Sequence, residues 1–194
     1  MKKTLFVFLF VMMCICASAQ DIASDFKTES KAALLEGNKG LLIRRDCFET
    51  KQIMGIASTI QITPTILTDL STGQKEAYIN LSSMGLTSKG TNNKSSYIDL
   101  DELSAILDAM DYMLSTVISE KPSHHVDVTI TTRDGLIIAV TYDTTQVRGD
   151  KWGGSLHHTK YLSGEITPVS TKVLQNLKGE LEASKAFLEK ELLK

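Results

Sequence analysis

The stretch Tyr97-Ile-Asp-Leu-Asp-Glu-Leu-Ser-Ala-Ile-Leu-Asp-Ala-Met-Asp-Tyr-Met-Leu-Ser-Thr-Val-Ile118 decides how this chain folds. Its apolar residues Leu103, Ile106, Leu107, Met110, Met113, Leu114 and Val117 recur at i, i+3, i+4 and i+7, the spacing of one buried helical stripe. Asp99 is expected to be the N-cap, and Glu102 three residues on completes a capping box. Asp99, Asp101 and Glu102 also place negative charge at the positive end of the helix dipole. Ser104, Asp108, Asp111 and Ser115 fall on other faces, and Pro122 ends the pattern. Such a helix has one apolar face and needs a sheet or another helix to cover it.

The sequence on either side is rich in strand patterns. Residues 41–48 read as a strand. Ile56, Ser58, Ile60 and Ile62 alternate, and Pro64 is expected to end this strand or mark a sheet edge before Ile66-Leu67 resumes it. Ala77, Ile79 and Leu81 alternate with Glu76, Tyr78 and Asn80. Residues 83–94, with Gly85, Gly90, Asn92 and Asn93, read as an exposed loop. After Pro122, Val126, Val128 and Ile130 alternate with Asp127, Thr129 and Thr131. Arg133-Asp134-Gly135 then makes a hairpin turn, because Asp and Gly both tolerate positive φ. Residues 136–142 are apolar at nearly every position and are expected to be central and covered on both faces. Residues 152–162 read as one or two short strands, with Gly153-Gly154 marking a bulge or a close backbone approach.

The chain ends in a long helix. Thr167 is expected as its N-cap and Pro168 as its first residue, where the missing N–H costs nothing. Val169, Val173, Leu177 and Leu181 form its stripe, extended by Leu174, Leu188 and Leu192, and its Glu- and Lys-rich end is free to project or to pair with a partner helix. Ile98-Asp99 before the first helix matches Ile166-Thr167 before the second. The fold class expected is therefore α+β: antiparallel sheets with two amphipathic helices, the alternative readings being two ββββα half-repeats at 40–121 and 122–194 or two unrelated helices in one domain.

The remaining organisation follows from the N-terminus and composition. Lys2-Lys3, an apolar run over residues 5–16 and Ala17-Ser18-Ala19 read as a signal peptide over residues 1–19, which implies export to the periplasm or beyond. Cleavage would remove two lysines and no acids, shifting the net charge from −2 to −4. It would also leave Cys47 as the lone cysteine, so packing rather than disulfides must hold the fold. Residues 20–39 are a tether or a short helix, and residues 40–194 a single domain. A mildly acidic chain argues against a general nucleic-acid binder, which shows a basic face.

The helix starts at Asp99 and Thr167 and the hairpin over residues 126–142 resemble the strands-then-helix repeat of PC4-, Whirly- and PUR-type single-stranded-nucleic-acid-binding proteins. The Tyr97-Ile-Asp-Leu-Asp-Glu-Leu103 helix entry, the Thr131-Thr-Arg-Asp-Gly135 turn and Lys151-Trp152 resemble a group of small secreted bacterial proteins of unknown function. The first resemblance implies a fold. Its nucleic-acid function is disfavoured by the negative charge and by aromatics that are not interleaved with basic residues.

Candidate chemistry is sparse. His124-His125 and His157-His158 form two pairs. Neighbours on a strand point to opposite faces, so each pair can offer one ligand to a metal, His125 and His157, with Asp127 or Asp143 completing the set. Cys47 on a strand reads as a small buried hydrophobe or as a nucleophile. Arg133, Asp134, Trp152 and Tyr142 are the candidate partner-binding residues, with a core position the competing reading for Trp152. No cofactor is expected. The reading reached is an exported, non-enzymatic protein that binds a protein or a small ligand, with a homodimer as a further partner expectation and no membrane span. The alternatives are a hydrolase or metal-dependent enzyme with an unrecognised site, and nucleic-acid binding. N-terminal sequencing of the exported protein is expected to start at Gln20; a chain that starts at Met1 refutes the signal reading.

Overall fold

A computed structural model describes residues 27–55, 58–87, 90–146, 150–159 and 166–194. The leader read at residues 1–19 lies outside the described residues. The protein is α+β, with two antiparallel sheets and three α-helices among the described residues. Helix α1 spans Lys31–Gly37. The first sheet contains β1 (Ile43–Cys47), β2 (Lys51–Met54), β3 (Ser58–Asp69), β4 (Lys75–Thr87) and β5 (Gly90–Asp99). Helix α2 (Leu103–Ser115) follows. The second sheet contains β6 (Val126–Thr131), β7 (Leu136–Tyr142), β8 (Trp152–His158) and β9 (Ile166–Val169), and helix α3 (Thr171–Leu192) comes last.

Strands in both sheets are laid down in chain order: β3-β4-β5 with β1 and β2 sharing the outer edge of β3, and β6-β7-β8-β9. The two main helices begin at equivalent points, Leu103 and Thr171, and Ile106 and Leu174 are both buried.

Alternation sets the inner faces. Ile60 and Ile62 on β3, Ile79 and Leu81 on β4, and Ile98 on β5 are fully buried. Each contributes about 1.5–3 kcal/mol relative to exposure. Ile138, Val140 and Leu156 do the same for the second sheet. Both sets belong to one continuous core with the stripes of α2 and α3. Helix α3 packs on α2, lies across β2, β3 and β4, and also reaches β8, so it roofs parts of both sheets.

Several expectations are corrected. Strand β3 does not stop at Pro64. It runs through it as an interior strand, with Pro64 opposite Ile79. On its other side β1 ends opposite Thr65 and β2 starts opposite Ile62, so the residue without an N–H sits where the neighbouring edge is interrupted. The Pro64 carbonyl still accepts from Phe48 N–H at 3.0 Å. The loop expected over residues 83–94 is instead a long hairpin: β4 pairs with β5 out to Thr87↔Gly90. Strand β7 is central, but its outer face is only half-buried at Ile137 and Thr141. Thr167 and Pro168 do not start the last helix. They lie in edge strand β9, where proline is tolerated, and Ser170 is the N-cap, its hydroxyl accepting from Val173 N–H at 3.2 Å. The buried stripe of α3 is Leu174, Leu177, Leu181, Ser184 and Leu188, so the end of the helix stays on the core. Cys47 is exposed at the end of β1.

Gly154 on β8 marks a close approach to α3. A Cβ built there would lie 2.5 Å from Leu174 Cδ1 and 3.1 Å from Val169 Cγ2. Leu174 is itself buried and has nowhere to swing. Gly154→Ala is therefore expected to destabilise the protein by about 1–3 kcal/mol. Equilibrium urea unfolding reads this as a lowered midpoint; an unchanged midpoint would show that α3 can slide.

Candidate functional site

The densest polar constellation lies where β5 turns into α2. The capping box expected there is only half made. Glu102 Oε1 accepts from Asp99 N–H at 3.1 Å, but the Asp99 carboxylate does not cap α2. It caps α1 instead, accepting from Ser30 Oγ at 2.8 Å, Lys31 N–H at 2.7 Å and Ala32 N–H at 3.3 Å. Asp99 is 2% exposed. A buried carboxylate needs such donors, and a helix start supplies them together with a favourable dipole.

The hairpin turn after β6 closes the same junction. Arg133 Nη1 lies 2.7 Å from Asp101 and 3.5 Å from Asp99, and its backbone N–H donates to Glu102 Oε2 at 3.0 Å. Lys31 pairs with Asp101 at 2.7 Å. Asp134 is 1% exposed, and it accepts from Thr28 Oγ1 and Tyr97 N–H, both at 2.8 Å. Arg133 and Asp134, expected as partner-binding residues, belong to this junction. The structure turns them inward because the turn abuts the β5–α2 corner and the segment before α1. Trp152 and Tyr142 are also buried: their rings meet edge to face at 5.2 Å, and Trp152 Nε1 donates to the Glu120 carbonyl at 3.0 Å. Asp134 and Trp152 thus spend polar atoms on the fold, while Arg133 is ion-paired with its side chain 33% exposed.

The metal reading fails on register. Val126 opposes Tyr142 in β7, whereas His157 opposes Ile137 five residues away. At about 3.3 Å per residue, His125 and His157 are separated by more than about 16 Å along the sheet. His125 is exposed and bonds Asp127 at 2.9 Å. Among the described residues, no three His, Cys, Asp or Glu side chains come together as a metal site.

His158, the inward neighbour of His157, is the buried polar residue of the pair. It is 1% exposed, and both ring nitrogens are engaged: Ser83 Oγ at 3.0 Å from Nε2 and Ser96 Oγ at 2.8 Å from Nδ1. Ser83 also meets Thr167 Oγ1 at 3.2 Å. The group bridges the two sheets. The parity of Trp152, Leu156 and His158 on β8 was the available signal.

Among the described residues, depressions of about 560 Å³ beside Tyr112, 480 Å³ beside Gln52 and Gly179 and 360 Å³ beside Ser104 reach the size of ligand sites but lie open to solvent. The groove between Phe48, Pro64, Ala183 and Phe187 encloses about 150 Å³, below the ~300–1,000 Å³ usual for ligand sites. A wider depression beside Tyr112 is open, and its Lys178 is paired with Asp111 and Glu182. The outer face of the second sheet is different. Register places Thr129, Ile137, Ala139, Ser155, His157, Ile166 and Pro168 there; Ile166 is 59% exposed and Pro168 is exposed. Asp127 is the acidic residue on this face, and its strand positions carry no Lys or Arg.

The junction has a titration signature. The Arg133 guanidinium bonded to Asp101 holds that carboxyl below its ordinary value, and burial pushes Glu102 up. Stability from Glu102 is present below its ordinary 4.5 and lost as pH rises through its folded pKa; stability from Asp101 is lost as pH falls through its own. Carboxyl-carbon NMR titration is expected to give midpoints below 3.8 for Asp101 and above 4.5 for Glu102. In urea unfolding, Asp99→Ala, which strands buried donors, is expected to cost about 3 kcal/mol or more, against under about 1 kcal/mol for the exposed Asp101→Ala. Equal losses would remove the special role of Asp99.

No family model matches the chain, and no curated protein matches it, so the site stands on its geometry alone.

Proposed function

We propose that this is an exported, non-catalytic binding protein that engages a protein partner through the outer face of its second sheet. The observation that carries this reading is the contrast between that sheet's two faces. Its inner face buries Leu136, Ile138, Val140 and Leu156, and its one inner histidine is consumed by two serines. Its outer face presents short, mostly uncharged side chains from all four strands, edged by the exposed Ile166. Flat surfaces of small and β-branched residues suit protein association, where the core of an interface is depleted in charge.

Catalysis is the weaker reading for the same reason. Asp99, Asp134 and His158, the strongest buried polar groups, spend their polar atoms on the fold rather than converging on a cavity. Nucleic-acid binding requires phosphate contacts from Lys or Arg, and this face offers none at its strand positions. The resemblance to Whirly- and PUR-type proteins therefore supports an architecture and not their ligand. Export rests on the signal pattern of residues 1–19.

Ile166→Glu tests the proposal. The side chain is exposed on an edge strand, so stability is expected to change by less than about 0.5 kcal/mol. Affinity capture from the envelope fraction of the native cell, compared between the wild type and this variant, is expected to recover a stoichiometric protein with the first and to lose it with the second. Equal recovery removes the sheet face from the interface. Salt-dependent binding of the wild type to a single-stranded oligonucleotide overturns the choice of partner.

A further inference from the structure

The sheet edges are not equally protected. Edge strands expose unpaired N–H and C=O groups, and proteins blunt them with charges, prolines, interruptions or covering elements. The β1/β2 edge is interrupted over residues 48–50 and carries Arg44, Arg45 and Lys51. Strand β9 carries Pro168, and β5 lies beside β8 of the other sheet. Strand β6 touches α2 but carries no proline and no interruption. It is six unbroken residues, Val-Asp-Val-Thr-Ile-Thr, paired on one side with β7. Its one charge does not guard the edge: the Asp127 carboxylate is held over its own sheet, accepting from Thr141 Oγ1 at 2.6 Å and lying 2.9 Å from His125 Nε2.

The backbone phase of β6 follows from the turn. Thr132 N–H donates to the Leu136 carbonyl at 2.9 Å. Val126, Val128 and Ile130 therefore direct their peptide groups toward β7, and Asp127, Thr129 and Thr131 direct theirs to the free edge. That set is self-complementary. If a second β6 runs antiparallel about a twofold axis at Thr129, Thr129 meets Thr129, and Asp127 meets Thr131 on each side. All three outward residues then pair with outward residues, and no carboxylate faces a carboxylate. On the inner face Val128 meets Ile130.

We propose that the free β6 edge is a docking site for a second copy of this chain, joining two four-stranded sheets into one continuous sheet with Thr129 on the twofold axis. The pairing uses backbone groups at the β6 edge, and Ile166→Glu on β9 leaves that edge unchanged, so either proposal can fail alone.

Single cysteines read the register directly in a full-length mature chain carrying Cys47→Ser. The axis places two Thr129 Cα atoms about 5.5 Å apart, within the range a disulfide spans. Thr129→Cys is expected to give a disulfide-linked dimer under a mild oxidant. Thr131→Cys, facing Asp127 of the other copy, is expected to stay unlinked. Sedimentation of the unmodified chain is expected to show a reversible dimer, and Thr129→Lys to raise its dissociation constant by about tenfold or more through like charges set opposite one another, with an unchanged circular dichroism spectrum. A chain that is monomeric at its solubility limit overturns the proposal. So does a dimer indifferent to Thr129→Lys, or equal cross-linking at positions 129 and 131.

Discussion

The structure depends on the demand of one buried carboxylate for donors. Asp99 sits at the end of β5 with almost no access to water, and burying an ion without partners costs several kcal/mol. Its partners come from far along the chain: Ser30, Lys31 and Ala32 at the start of α1, and Arg133 from the turn after β6. A seven-residue helix is too short to persist alone. Capped by Asp99, and laid with Ala32 and Leu35 over Leu67 and Tyr78, it becomes part of the body. Three segments remote in sequence are thereby fixed to one another, and the two sheets acquire a defined relative placement at that corner.

How much of this was legible in the sequence varies by element. The α2 stripe could be read because one buried face leaves a plain 3.6-residue period, and Leu103, Ile106, Leu107, Met110 and Met113 are all buried. Hairpin β6–β7 was readable from alternation and Asp134-Gly135. Failures cluster where tertiary context overrides a local rule. Asp99 has the chemistry of a cap, but sequence distance hides which helix it caps. Pro64 breaks a ladder in general; here the gap between β1 and β2 removes the conflict. The Asn- and Gly-rich stretch 83–94 lacks an apolar pattern, yet β4 and β5 pair through it because backbone hydrogen bonds need no particular side chain.

The candidate surface was less legible than the fold. Titratable pairs and a turn draw attention in a sequence; of those groups His158 and Asp134 are internal fastenings, whereas His125 is exposed. What faces outward on the second sheet is, apart from Asp127 and His157, chemically plain: threonine, serine, alanine, isoleucine and proline at alternating positions. Such a face is seen only once register shows which residues share it. Binding by shape and backbone geometry leaves no motif.

Helix α3 rests on β2, β3 and β4 and also reaches β8, and its buried side chains extend to Leu188. A ribosome builds a chain from the N-terminus, and domains close as units once their parts have emerged. Both sheets are therefore synthesised in full before residues 171–192, their shared roof, have emerged.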